Sequence, residues 1–376
     1  MTRQALLFVL LPIIFFIPSC MAPKTKGIEV DEKLAAIESR KQKQLALVLF
    51  LSDWTRLNRL SYKVMSHSVD LCKDDITKGM GAFFINKYSL ADEFREVVST
   101  DMKSERIQVF QIVKASPAEK AGLEKGDLIL KIDGKSVPEG ESAISEFSEI
   151  FNEASENKFA ITLDVMRGTQ EKTFSVNLEP TCNYQVLMNQ DDIINAFADG
   201  DNVIITKGMM RFAKDDSELA LVISHEIAHN AMGHFTSNMI NAIPGFILDM
   251  AVALLGVNTQ GTFAKATAGT FSQELEFEAD YVGLYMMAKS GLPIEDAPNF
   301  WRKMATVHPA SINANHAASH PATSQRFLAL EKTVQEIKNK ISNGQPLTLE
   351  VNEGEEPLEK TGVEEDESSQ FMNLLN

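Results

Sequence analysis

The sequence predicts an α+β protein in which a mainly helical domain with a small sheet carries an inserted, β-rich module. Three observations predict it. Apolar residues recur at spacings of three and four from Asp31 to about Leu71, and long helical patterns dominate again after Asn183. Between these stretches lie short β-like runs set off by Gly and Asp turns. The composition, 44% apolar and 23% charged over 376 residues, is that of a globular chain with room for two domains and a tail.

Taken in chain order, Arg3 and the amino terminus precede an apolar run from Ala5 to Ile17 that ends in Pro18-Ser19-Cys20. The run is too short to cross a membrane as a helix and fits a signal peptide over residues 1–19, so the remainder is expected to be exported. A small residue followed by Cys resembles a bacterial lipoprotein signal. That resemblance implies acylation of Cys20 and a membrane-anchored lipoprotein of the cell envelope facing the periplasm. Ordinary cleavage nearby and an uncleaved anchor are the other readings. Residues 20–77 read as N-terminal helices, one or two of them, since no Gly or Pro interrupts the pattern after Asp31. Once Cys20 is acylated only Cys72 and Cys182 remain, and two thiols in an oxidising compartment commonly pair. A disulfide between them would pinch the module into a fixed root with a mobile head; two buried free thiols are the alternative.

In the middle section, Ala82 to Asn86, Ile107 to Val113, Leu128 to Ile132, Phe159 to Val165 and Thr173 to Leu178 read as strands, and Glu141 to Glu156 as a helix. Ser116-Pro117 supplies a cap and a first helical residue, Gly122 a stop, Gly126-Asp127 a turn, and Asp133-Gly134 a tight turn after a strand. This order resembles a PDZ domain over residues 78–180. The resemblance implies a polypeptide partner that adds as a strand beside the Glu141–Glu156 helix, its C-terminal carboxylate held by a loop formed by Gly79, Met80, Gly81, Ala82 and Phe83. A module serving only as a spacer is the plain alternative.

Residues 181–340 hold the chemistry. His225-Glu226-Ile227-Ala228-His229 follows a helix start at Asp216-Ser217-Glu218 and an apolar run. On a helix the two imidazoles lie one turn apart on one face and can reach a single Zn²⁺ (one per chain), while Glu226 stands beside them as a base for a coordinated water. A third ligand is needed. Glu274, Glu276, Glu278 and Asp280 offer carboxylates on a second helix, and Glu276 and Asp280, four apart, share a face. The apolar residues among them show that one face is buried without settling which glutamate meets the metal. His67, His234 and His316 read as structural.

The His225 motif with Gly233-His234, the Glu276-x-x-Ala279-Asp280 element, and His320-Pro321-Ala322-Thr323-Ser324-Gln325-Arg326 resemble the gluzincin peptidases of metallopeptidase family 48, the family of HtpX and the CAAX prenyl proteases. The resemblance spans about Asn183 to Leu330. It implies zinc on His225, His229 and Glu276, a base at Glu226, metal orientation by Asp280, and His320 and Arg326 near the scissile peptide as catalytic groups. Unlike the membrane-integral members, the chain has no run of 18 or more apolar residues; Ala242 to Val257 comes nearest, with Asp249 inside it. Substrate is expected to pair with an exposed edge strand at Asn202 to Thr206.

The charge excludes one class of partner. Lys plus Arg number 36 against 52 Asp plus Glu, a net charge of −16, which argues against nucleic-acid binding. Residues 341–376 read as an acidic disordered tail. Two functions stand: a membrane-anchored zinc endopeptidase acting on envelope or misfolded proteins, with PDZ-mediated capture, or a periplasmic chaperone or assembly adaptor with little or no proteolysis.

Overall fold

A computed structural model of the chain describes residues 27–28, 30–99, 102, 104–234, 273–307, 320 and 323–350. Cys20, the signal segment, Ala242 to Val257 and the chain after Glu350 lie outside the described residues. The described parts are α+β: a β-rich module and a helical domain with a small sheet.

The N-terminal pattern forms one uninterrupted helix, α1 (Glu32–His67), started by Asp31, whose carboxylate accepts from the N–H groups of Lys33 and Leu34. Its two halves differ. Leu57, Leu60 and Val64 are buried in the main core, whereas Leu34, Ile37, Leu45 and Val48 are exposed. A 3₁₀ turn (Val69–Leu71) leads to β1 (Ile76–Gly79).

The module is antiparallel throughout. After β1 come β2 (Ala82–Ile85), a short α2 (Asp92–Arg95), β3 (Gln108–Ile112), α3 (Pro117–Ala121), β4 (Leu128–Ile132), β5 (Lys135–Ser136), α4 (Ala143–Ser155), β6 (Ala160–Arg167), β7 (Gln170–Asn177) and β8 (Glu179–Cys182). The sheet order is β2-β3-β4-β6-β7, with β5 on β4. Ile107, Val109, Ile129, Ile132, Ile161, Leu163 and Val165 fill its core under Phe147 of α4. The Ser116 hydroxyl accepts from the Glu119 N–H at the start of α3, and Gly122, at φ +87°, ends it. β1 and β8 pair as a two-stranded stem that brings the module's ends together. At its foot Cys72 and Cys182 form a disulfide with Cα atoms 5.7 Å apart, within reach of an unstrained bridge.

The stem is not the module's sole attachment. Trp54 of α1 stacks on Phe110 at 4.9 Å and the Gln111 amide donates to the Thr55 carbonyl at 2.8 Å, while the Tyr62 hydroxyl holds the stem itself, donating to Glu179 of β8 at 2.6 Å. The same helix is fixed to the other domain, where Arg56 and Arg59 bond Asp216. α1 is therefore a brace between the two parts, and the freely hanging head expected from the sequence does not match these contacts.

In the second domain β9 (Gln185–Asn189), β10 (Ala196–Ala198) and β11 (Asn202–Thr206) form a sheet in the order β10-β11-β9, followed by α5 (Lys207–Phe212), α6 (Asp216–Ala231), α7 (Gln273–Lys289), α8 (Ala297–Val307) and α9 (Ser324–Ser342). The expected edge strand at Asn202 to Thr206 is instead the central one, antiparallel to β10 and parallel to β9. Val203, Ile204 and Ile205 are all buried, and a continuous apolar run marks a strand covered on both faces rather than a sheet edge. Residues 343–350, which the sequence assigns to the tail, fold back: Leu347 and Leu349 pack on the main core, and the Glu350 N–H donates to the Tyr281 hydroxyl at 3.1 Å.

The disulfide closes a loop across a separation of 110 residues. Replacing both cysteines by serine is predicted to lower the unfolding free energy by about 2–5 kcal/mol in urea titrations. An unchanged denaturation midpoint would contradict this.

Candidate metal centre and peptide groove

α6 carries the centre because it is buried along almost its whole length, from Leu219 to Ala231. Asp215 caps it by accepting from the Glu218 N–H at 2.9 Å. α7 crosses it at Gly283, where an added Cβ would stand 3.1 Å from the His225 backbone nitrogen. A side chain there would push the helices apart by a few tenths of an ångström, and the close approach sets Glu276 and Asp280 of α7 against His225 and His229.

A tetrahedral ion with bonds of about 2.0–2.2 Å requires donor atoms about 3.3–3.6 Å apart. His225 Nε2 and His229 Nε2 are 3.2 Å apart, His229 Nε2 and Glu276 Oε1 3.4 Å, and His225 Nε2 and Glu276 Oε2 3.6 Å. These spacings, with a different Glu276 oxygen nearest each imidazole, are close to what a small metal ion requires. His320 joins them, its Nδ1 3.3 Å from His225 Nε2 and 2.9 Å from Glu276 Oε1. It thus stands at the fourth corner, and the four side chains form a cluster able to hold a metal.

The protonation states of His229 and Glu276 suit that use, whereas His320 is held as a cation by its two carboxylate neighbours. Burial pushes His229 well below the ordinary imidazole range, against the pull of Glu276, which favours the neutral ring a metal needs. Burial opposes ionisation of Glu276, but His320 and Arg326 outweigh it and hold the carboxylate well below its usual value. For His320 burial opposes the charge, yet Glu276 and Glu226 raise it to about 9. Glu226 is pushed up by burial, against the pull of His320 and His225. Its Oε2 is buried with no hydrogen-bond partner among the described residues, and its Oε1 lies 3.6 Å from His320 Nε2.

Arg326 is placed differently from the sequence reading. Instead of facing a scissile bond, it lies behind the carboxylates, 1% exposed. Its Nε and Nη2 donate to the two oxygens of Asp280 at 2.8 Å each, and its Nη1 is 2.6 Å from Glu276 Oε2. Its charge therefore acts through Glu276 and Asp280. Asp280 Oδ1 is in turn 3.0 Å from His225 Nδ1. Burial raises Asp280, but Arg326 and His225 overcome it and keep it ionised. Trp301 of α8 covers both groups, its ring 5.1 Å from that of His225 and 4.9 Å from the Arg326 guanidinium. The sequence reading missed Trp301 and also the pair His234 and Glu278, which are 2.9 Å apart. No local pattern identifies Trp301. The Gly233-His234 step is the only sequence signal for the pair.

The five residues read as a carboxylate loop run from the end of β1 into β2. Gly81 has φ +68°, and a Cβ there would meet Ser116 Cβ at 2.4 Å and the Tyr62 ring at 2.8 Å. The Met80 and Gly81 carbonyls accept from the Ala118 and Val113 N–H groups at 2.8 Å. Ala82 and Phe83 begin β2, the outer strand of the module sheet. The Phe84 ring is 4.6 Å from Phe147 of α4. Ala82 and Phe84 of β2 and Ile144, Phe151 and Ala154 of α4 are half-buried apolar residues packed against the same core.

Known proteins share both parts. Residues 164–334 match the model of peptidase family M48, and residues 81–178 that of the PDZ domain. The chain carries an M48 peptidase domain and a PDZ domain. It is 28% identical over 187 residues to the mitochondrial metalloendopeptidase OMA1 of Arabidopsis thaliana, covering 48% of this chain and 36% of that protein. It is 34% identical over 134 residues to the beta-barrel assembly-enhancing protease of Yersinia pestis, covering 32% and 27%. The chain thus spans about a third of these relatives' length. Among solved structures, the HtrA3 PDZ domain bound to a phage-derived ligand is similar at 23% identity and a TM-score of 0.22, covering 28% of this chain and 88% of that one. M48 peptidases depend on a metal, and the His/Glu cluster lies inside the M48 match.

Arg326→Met is predicted to destabilise the metal-free protein by about 3–5 kcal/mol, because it leaves two buried carboxylates without their cation. Urea unfolding in the presence of a chelator measures it. A wild-type midpoint would show that the carboxylates do not rely on Arg326.

Proposed function

We propose that the protein is a zinc endopeptidase that cleaves polypeptides in the bacterial cell envelope. The observation that carries this reading is Glu226: a buried carboxylate with one oxygen unpartnered among the described residues, beside a cluster able to hold a metal ion. A protein that only bound metal would have no use for it. His225, His229 and Glu276 are the ligands in this reading, and two imidazoles with one carboxylate suit zinc. When bound, the ion lowers the pKa of a coordinated water to about 7 and polarises the peptide carbonyl.

The rest of the reaction belongs to the chain. Glu226 accepts the water proton at Oε2 and hands it to the leaving amine nitrogen. Desolvation raises Glu226 and strengthens it as a base. Asp280, backed by Arg326, stands 3.0 Å from His225 Nδ1 and keeps Nε2 turned towards the cluster. His320 occupies the fourth corner in this arrangement, so its side chain must turn away for water to enter. Once displaced it remains close enough to donate to the oxyanion.

The PDZ module supplies capture in this proposal: a chain end adds beside β2, its carboxylate on the Gly79–Phe83 loop and its apolar side chains on the apolar residues of β2 and α4. Acylated Cys20 holds the protein to the membrane, facing the periplasm. The second reading, a chaperone or assembly adaptor with little proteolysis, is favoured by one observation, the closed fourth corner at His320.

Glu226→Gln tests the enzyme. The variant is predicted to keep its metal but lose cleavage of an unfolded protein substrate by at least a hundredfold, as general-base removal typically does. Wild type should lose activity to a chelator and regain it with zinc, and amidating the substrate's C-terminus should slow its cleavage. Undiminished cleavage by Glu226→Gln would leave the adaptor reading. For the anchor, mass spectrometry of the membrane fraction should find lipid on Cys20, and Cys20→Ser should release the protein. An unmodified Cys20 in the membrane fraction would refute the anchor.

A further inference from the structure

The two ligand imidazoles are held from behind in different ways. His225 leans on Asp280, buried and paired with Arg326. The Nδ1 of His229 lies 2.9 Å from Nδ1 of His234, a buried residue, whose Nε2 lies 2.9 Å from Glu278 Oε2. We propose that His234 and Glu278 form a positioning relay, in which a second imidazole transmits the hold of a surface carboxylate to the metal-facing ring of His229. The proposal rests on the metal-site reading above.

Local geometry builds the relay. Continued helix would carry a residue five positions after His229 to another side of α6. The helix ends first, at Ala231, and Gly233 turns the chain at φ +68°. The His234 N–H then donates to the His229 carbonyl at 3.0 Å, and its ring swings back edge-on to that of His229, with centroids 4.9 Å apart. Glu278 lies two residues beyond Glu276 on α7, about 200° around the helix, so it cannot share the metal with Glu276. It points instead to His234, with its side chain half-exposed.

The hydrogen bonds permit one useful set of tautomers. His229 Nε2 faces the cluster. As a ligand it must offer a lone pair, which puts the ring proton on Nδ1. That N–H donates to His234 Nδ1, which must then be the bare nitrogen. The His234 proton accordingly sits on Nε2 and is donated to the Glu278 carboxylate. In the reverse arrangement His229 would carry its proton on Nε2 and could not bind. Glu278 selects the productive set by accepting at the far end. Loss of such an outer partner typically weakens metal binding 10–100-fold.

Zinc affinity by competition with a chromogenic chelator, together with the visible spectrum of the cobalt(II)-loaded full-length protein, tests the relay. His234→Ala is expected to raise the zinc Kd about 10–100-fold and to shift the cobalt bands, because the His229 ring is released. Glu278→Ala is expected to do the same to a smaller degree. Glu278→Gln, whose amide oxygen still accepts from Nε2–H, should recover most of the affinity. Glu278 is at the surface, so its variants decide the matter even where His234→Ala fails to fold. If wild type binds zinc, His225→Ala does not, and both Glu278→Ala and any folded His234→Ala variant keep wild-type affinity and cobalt spectrum, the relay is overturned. If wild type binds no zinc, or His225→Ala binds it equally well, the metal-site reading fails instead.

Discussion

The organising constraint is the burial of three carboxylates, Glu226, Glu276 and Asp280, within one small volume. Left alone, such groups would neutralise themselves by taking up protons. Arg326 prevents this for Asp280, with one edge of its guanidinium on that carboxylate, and joins His320 in doing so for Glu276, which its remaining nitrogen faces. Glu226, outside that grip, is the one whose affinity for a proton rises. Two carboxylates held ionised and a third inclined to take up a proton therefore stand side by side. Trp301 covers both Arg326 and His225.

The surrounding fold keeps that volume rigid. α6 and α7 meet at Gly283 with no side chain between them, which fixes the distance between the histidine and carboxylate rows. α1 reaches the N-terminus of α6 through Arg56, which donates to the Ala213 carbonyl at 2.8 Å and bonds Asp216. It also touches the loop entering β2, since the Tyr62 ring lies against the backbone of Gly79 and Gly81. One helix thus contacts both the start of α6 and the loop that enters β2 of the module. The Cys72–Cys182 bridge ties the same helix end to β8, so the two sites share a brace as well as a stem.

Much of this was legible in the residues. The spacing of His225, Glu226 and His229 follows from helical period alone, and the Ser116 to Gly134 stretch spells out its caps and turns. Pattern reading ran out where tertiary contact decides. The carboxylates of α7 lie on a helix buried on more than one side, so periodicity could not choose between Glu276 and Glu278. His234 needed the reversal at Gly233, and Arg326 needed the crossing of α9 behind α7. β11 was misread because an unbroken apolar run records burial on both faces, not which neighbours pair with it. The extra ordered turn to Glu350 depends on Leu347 and Leu349 finding the core, which a charge count over the tail cannot show.

The central claim is that His225, His229 and Glu276 bind a zinc ion in a site of nitrogen and oxygen donors. Zinc K-edge X-ray absorption on the purified protein tests it most directly. The account predicts nearest scatterers that are nitrogen and oxygen only, at about 2.0–2.2 Å, with the outer scattering of at least two imidazole rings. Sulfur at about 2.3 Å, or the absence of imidazole scattering, would contradict it.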